Sequence, residues 1–138
     1  MYAVETNDLT KIYRRSEKPA LHKANLQCAR GSIFSLLGEN GAGKTTTVKI
    51  LCTVLIPTSG EAFVSGYNTV GEAREVRRVI GYLPQKSHVS IFFDWSIWDN
   101  LRFFSAMNNI TGQNFDTLAK SLLREYNLWD KRNELFRN

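Results

Sequence analysis

Apolar and polar positions alternate with a period near two over the first thirty residues. Ala3 to Thr6 and Leu9 to Tyr13 predict short strands around a turn at Asn7-Asp8. Leu21 to Cys28 predicts another strand, with Leu21, Ala24, Leu26 and Cys28 sharing much of one face, and Gly31 breaks the pattern. Ser32 to Leu37 is nearly continuous in apolar character, as expected of a strand covered on both faces. From Lys44 the apolar positions Val48, Leu51, Cys52 and Leu55 fit a helix, which Pro57 and the turn ending at Gly60 should stop. Glu61 to Ser65 predicts a short strand with a turn at Gly66.

The second half changes period. Glu72 to Arg78 predicts a charged helix with Ala73, Val76 and Ile80 on one side. Val79 to Leu83 reads as a second buried strand, closed by Pro84 and Gln85. Ser96 to Asn108 predicts a helix that Ser96 caps, with Asp99 at the reciprocal position three residues on. Phe115, Leu118, Leu122 and Tyr126 define the face of a last helix.

Composition narrows this picture. The chain has 138 residues, 43% hydrophobic and 22% charged, within the range of one globular domain. A formal net charge of +5 favours polyanionic partners without choosing among them; a solvated basic face is the alternative reading. Cys28 and Cys52 lack metal-ligand spacing and are expected to be reduced, small, buried residues. No run approaches the roughly 18 apolar residues of a membrane span, so the expectation is a cytosolic protein, or one attached to a membrane through a partner.

The most informative stretch is Gly38-Glu39-Asn40-Gly41-Ala42-Gly43-Lys44-Thr45, which fits G-x-x-x-x-G-K-S/T in full. Several negative charges within a few ångströms are best held by many converging backbone N–H groups, and glycine lets the backbone approach that closely. The loop opens a predicted helix, whose N-terminal partial charge adds to the attraction. Lys44 has the reach for β- and γ-phosphates, and the Thr45 hydroxyl stands where a Mg²⁺ ligand is needed. The expected ligand is a nucleoside triphosphate with magnesium.

The order Tyr13, Gly38 to Thr46, Pro57-Thr58-Ser59-Gly60, then Ile80-Gly-Tyr-Leu-Pro-Gln85 resembles the first half of an ATP-binding cassette, most nearly those of bacterial multidrug-type exporters with separate membrane subunits. The resemblance covers nearly the whole chain. It implies an α/β fold: an ABC-type P-loop NTPase core with an N-terminal antiparallel β subdomain and the start of a helical subdomain, together an incomplete domain. The implied divisions are 1–30, the β region with the adenine-stacking Tyr13; 31–85, the core from the P-loop to Gln85; and 86–138, the beginning of the helical subdomain.

The resemblance also implies roles. Tyr13, Gly38, Glu39, Asn40, Gly41, Ala42, Gly43, Lys44, Thr45 and Thr46 would bind ATP, and Thr45 and Gln85 would hold Mg²⁺. Lys44 and Gln85 would act in hydrolysis. Tyr13 either stacks on adenine or simply packs on the sheet, and Gln85 either touches the metal site or is a polar loop residue. Ile91 to Trp95 and the aromatics of the Ser96 helix either receive a short helix of a transmembrane permease or pack as an ordinary core. The implied partners are ATP, the permease and a second cassette in a head-to-tail dimer, with no nucleic acid. The implied location is the cytoplasmic face of a membrane, peripheral through the permease.

No LSGGQ-like signature, acidic pair after an apolar strand, or switch histidine follows. The expectation is a fragment or truncation that keeps the ATP and Mg²⁺ cradle without fast hydrolysis, with apolar strand edges left uncovered. A small kinase or GTPase fits less well: no guanine-reading N-K-x-D is present, and Arg74, Arg77 and Arg78 alternate with acidic residues as a solvated helix face does.

Overall fold

The sheet is organised around a strand that carries one residue too many for its neighbours. In the computed structural model, which describes residues 2–83 and 92–135, β1 (Tyr2–Lys11) pairs antiparallel with β2 (Leu21–Ala29) on one side and with β3 (Ser59–Val64) on the other. A two-residue strand β4 (Tyr67–Asn68) completes the order β2-β1-β3-β4. The β1–β2 register runs from Thr6↔Leu26 to Leu9↔Ala24, and the β1–β3 register from Asn7↔Glu61 to Thr10↔Ser59. Both steps place three residues of β1 against two of its partner, which is a β-bulge.

The predicted turn at Asn7-Asp8 is therefore a bulge inside a single strand. Asp8 takes φ 47°. Its amide donates to Asn25 Oδ1 at 2.8 Å, and Asn25 Nδ2 donates to Asp8 Oδ1 at 3.1 Å. The extra residue changes the phase of the strand. Thr6 and Leu9 would face opposite sides of a regular strand, yet both are buried here.

The helix α1 (Lys44–Leu51) supplies Ile50 to a core of Leu9, Leu21 and Ala62, with Ala24, Leu51 and Leu55 packed against it. Leu9 and Ile50 are fully buried, each contributing about 1.5–3 kcal/mol by removing apolar surface from water. β3 and β4 are joined by Ser65 and Gly66 at φ 52° and 90°, the paired positive values of a type I′ hairpin turn. After β4, Asn68 Oδ1 accepts from the amides of Val70 and Gly71, and α2 (Ala73–Val79) follows.

The chain forms two compact units, Met1–Tyr82 and Leu83–Asn138. The second holds α3 (Ile97–Met107) and α4 (Gly112–Glu125). The three first-turn amides of α3, from Ile97 to Asp99, find acceptors outside the helical ladder, which itself begins at Asn100. Ile97 N donates to Glu134 O and Trp98 N to Arg132 O; Asp99 N donates to Ser96 Oγ and Asn100 N to Ser96 O. Of the expected Ser96–Asp99 box the cap half forms; the Asp99 carboxylate accepts from Ser96 Oγ, at 2.6 Å, in place of the Ser96 amide. Buried Asn100 ties the preceding loop down: it accepts from Phe92 N at 2.8 Å and donates to Phe92 O at 2.9 Å.

Several expectations need correction. Ser32 to Leu37 forms no strand: Ile33 and Leu37 are 99% and 90% exposed. An apolar run becomes a strand only with ladder partners, and no described strand pairs with this one. The described part of Val79 to Leu83 fails for the same reason, and Val79 instead ends α2. The first helix stops at Cys52 rather than Pro57: Thr53 takes φ 59°, and the amides of Val54 and Leu55 both donate to Lys49 O. Its buried face is Thr46, Thr47 and Ile50 rather than Val48, Leu51 and Cys52.

In α4 the buried stripe is Phe115, Ala119 and Leu123; Leu118, Leu122 and Tyr126 are exposed. Both stripes fit helical spacing and share Phe115, which meets Trp98 edge-on at 4.9 Å; they part at Ala119 and Leu123, which are the buried positions. Cys28 and Cys52 are free thiols and half-buried rather than fully buried.

Candidate functional site

The glycine loop closes in front of α1 through contacts that its sequence dictates. Gly43 stands at the N-cap with φ 86°. A β-carbon there would lie 2.6 Å from the Ala20 carbonyl oxygen and 3.1 Å from Leu21 Cδ1, so only glycine lets the helix start against β2. A β-carbon on Gly41 would meet nothing within 4 Å, so the loop is open there. Ala42 N donates back to Glu39 O at 3.2 Å, which curls the loop.

The helix start is left with donors. Thr47 N donates to Gly43 O at 2.8 Å, and Thr47 Oγ1 donates to the same oxygen at 3.0 Å. The amides of Lys44, Thr45 and Thr46 have no protein acceptor among the described residues. These are the unpaired first-turn N–H groups that carry a helix's positive end. Lys44 Nζ adds a full charge and donates to Gly38 O at 2.6 Å and to Glu39 O at 2.7 Å. Glycine backbone, free amides and an ammonium group thus lie together in one short loop and helix start, a set of groups suited to a polyphosphate.

The remaining predicted residues divide into three groups. Thr45 is exposed on the first turn of α1, and its hydroxyl has no protein partner among the described residues. That free oxygen fits a role as a cation ligand. Thr46 is buried, with its hydroxyl 3.2 Å from that of Tyr13. Tyr13 follows β1 and is 41% exposed, with the Lys11 ammonium 5.8 Å from its ring centroid. Gln85 lies outside the described residues, as do Pro84 and Ile91. Gly38, Glu39 and Asn40 are exposed along the rim of the loop.

Two supporting residues escaped the sequence reading of this site. Thr58 Oγ1 accepts from Ile12 N at 3.0 Å and donates to Ile12 O at 3.3 Å, fixing the segment that carries Tyr13. Gly60 lies against the β1 bulge, where a β-carbon would fall 2.6 Å from Asn7 O and closer still to the Asp8 carbonyl. Thr58 and the first residues of β3 therefore hold β1: the sequence predicted a turn as far as Gly60, but Ser59 and Gly60 already belong to the strand, because Ser59 pairs with Thr10.

In the second unit Phe92 stacks on Trp95 at 4.3 Å and meets Phe103 edge-on at 5.0 Å; each of these rings belongs to a residue 38–40% exposed. No described helix is long and apolar enough to cross a membrane.

Residues 21–138, well over half of the chain, match the family model described as ABC transporter. The chain is 39% identical over 110 residues to the probable multidrug ABC transporter ATP-binding protein YbhF of Escherichia coli, covering 80% of this chain and 18% of that protein. It is 38% identical over 117 residues to the daunorubicin resistance ATP-binding protein DrrA3 of Streptomyces coeruleorubidus, covering 85% and 36%. A solved ATP-binding subunit of an ABC transporter shares the fold, with a TM-score of 0.81 at 24% identity over 96% of this chain and 54% of that one. The chain thus spans under a fifth to about half of the proteins it matches. The glycine loop lies inside the matched residues, and the chain belongs to the ABC transporter family.

Proposed function

We propose that this chain is the nucleotide cradle of an ABC transporter ATP-binding subunit, and that its loop holds ATP with Mg²⁺. The observation that carries the reading is the set of groups at Gly41 to Thr46: three amides without a protein acceptor among the described residues, an open glycine and the Lys44 ammonium. In this reading the backbone from Gly38 to Thr46 wraps the phosphates, and Lys44 neutralises them. Thr45 takes the cation, with Gln85 as a second ligand. Tyr13 offers its ring to the adenine, a contact worth roughly 1–3 kcal/mol. The bound cation would screen charge between the terminal phosphates.

For the whole protein, ATP binding and hydrolysis would drive export of a substrate through a transmembrane permease at the cytoplasmic face, with a second cassette completing each nucleotide site. Residues 1–30, 31–85 and 86–138 would be its β region, P-loop core and the start of its helical subdomain. The exposed rings of Phe92, Trp95 and Phe103 would meet the permease. By themselves, the 138 residues read as a module that binds without turnover. The acidic side chains Asp130 and Glu134 are exposed in the second unit and follow no strand, unlike an acidic pair at the end of an apolar strand.

Calorimetric titration of the chain with Mg-ATP tests the proposal. Saturable binding that weakens at least about tenfold in Lys44→Ala is expected, since hydrogen bonds to a charged group are worth about 1.5–3 kcal/mol. Absence of binding to folded wild-type chain would overturn it.

A further inference from the structure

Stacking on a purine needs a flat ring and no hydroxyl, so phenylalanine would serve at position 13 as well as tyrosine. The Tyr13 hydroxyl nonetheless meets the Thr46 hydroxyl at 3.2 Å, across 33 residues of sequence. Thr46 is the third residue of α1 and is 8% exposed, so this end of the pair is fixed by packing. The other end is fixed by Thr58, whose hydroxyl bonds both the amide and the carbonyl of Ile12. Ser16 N closes a turn on Tyr13 O at 2.9 Å. The ring is therefore held at its backbone by Thr58, just before β3, and at its tip by the first turn of α1.

We infer that the Tyr13–Thr46 hydroxyl pair is a positioning device. It presets the base-binding ring at a fixed reach from the phosphate loop before nucleotide arrives, and it makes Thr46 a positioning residue for the base end of the site. The inference rests on the nucleotide reading of the cradle. Its physical basis is preorganisation: a ring already held in one rotamer loses less freedom when a base stacks on it. Because the hydroxyl pair is a neutral hydrogen bond, the expected effect of losing it is about two- to tenfold in affinity.

A double-mutant cycle tests this in the 138-residue chain, using Tyr13→Phe, Thr46→Val and both together. Titrations use Mg-ATP and, separately, magnesium with inorganic tripolyphosphate, which has no base. Tyr13→Phe should weaken ATP more than tripolyphosphate, and should add nothing in the Thr46→Val background. Thr46→Ser, which keeps the hydroxyl, should restore the Tyr13→Phe effect to its full size. Thermal unfolding of the ligand-free proteins gives a second cycle that needs no nucleotide, and it should also be non-additive. Additive effects in both cycles, or an ATP affinity unmoved by Tyr13→Phe, would overturn the inference while leaving the nucleotide reading standing. Wild-type chain that is folded and binds neither ligand would remove both.

Discussion

The Lys44 ammonium donates across the glycine loop to the carbonyl oxygens of Gly38, at 2.6 Å, and Glu39, at 2.7 Å. A single side chain thus draws the two ends of the loop together while remaining only half-buried. The same charge belongs to the first residue of α1, where the amides of Lys44, Thr45 and Thr46 have no protein acceptor among the described residues. Lys44→Arg should therefore fail to substitute: a planar guanidinium spreads its charge and cannot place one compact donor between two carbonyls. Calorimetry with Mg-ATP should show Lys44→Arg weakened by at least about tenfold; an affinity near wild type would mean that charge alone suffices.

Gly60 is a stability position. At φ 77° it takes a backbone conformation that side chains rarely adopt, and a β-carbon would press on the Asn7 and Asp8 carbonyls at the β1 bulge. Gly60→Ala should cost more than about 1–3 kcal/mol in urea denaturation, because backbone strain and overlap add. Gly31→Ala is the comparison: at φ 72° with nothing within 4 Å, it should bear only the conformational part, about 1 kcal/mol. Equal costs for the two would show that the bulge yields.

The start of α3 offers two substitutions of different size. Ser96→Ala removes the cap and should cost about 1 kcal/mol. Asn100→Ala leaves both Phe92 N and Phe92 O without their buried partner, an orphaning penalty of about 1–3 kcal/mol for each group. Denaturation followed by helical circular dichroism should rank Asn100→Ala as the more damaging. The reverse order would show that water replaces the lost amide.

Cys52 provides a pH handle. Burial raises its thiol pKa from the ordinary 9.0. A raised folded-state pKa means that the folded chain holds this proton more tightly than the unfolded one. The resulting stability is fully present below pH about 9 and is lost as pH rises through the folded-state value. Alkylation of Cys52 should follow the thiolate, with a midpoint above that of an unstructured peptide thiol. A midpoint at or below the peptide value would contradict the burial.

Much of the fold was legible because some local rules leave little choice. The Ser96 cap and the glycines and lysine of Gly38 to Thr45 work over a few residues, and the structure forms the cap and curls the loop. The fold class and family could be read for the same reason, from short motifs in a fixed order. Periodicity was a weaker guide. In α4 the Phe115-Leu118-Leu122 and Phe115-Ala119-Leu123 faces both satisfy helical spacing, and the tertiary structure buries the second.

By itself, the sequence determined the glycine loop's curl, the Ser96 cap of α3 and the order of most elements, because these depend on backbone conformation and on groups a few residues apart. Tertiary structure decided what depends on distant partners. It left Ser32 to Leu37 unpaired among the described strands, turned Asn7-Asp8 from a turn into a bulge, and set Gly60 against that bulge. It also brought the hydroxyls of Tyr13 and Thr46 together. A hydrogen-bond ladder, a close backbone approach and a contact across 33 residues are properties of two segments at once, and the composition of one segment does not name the other.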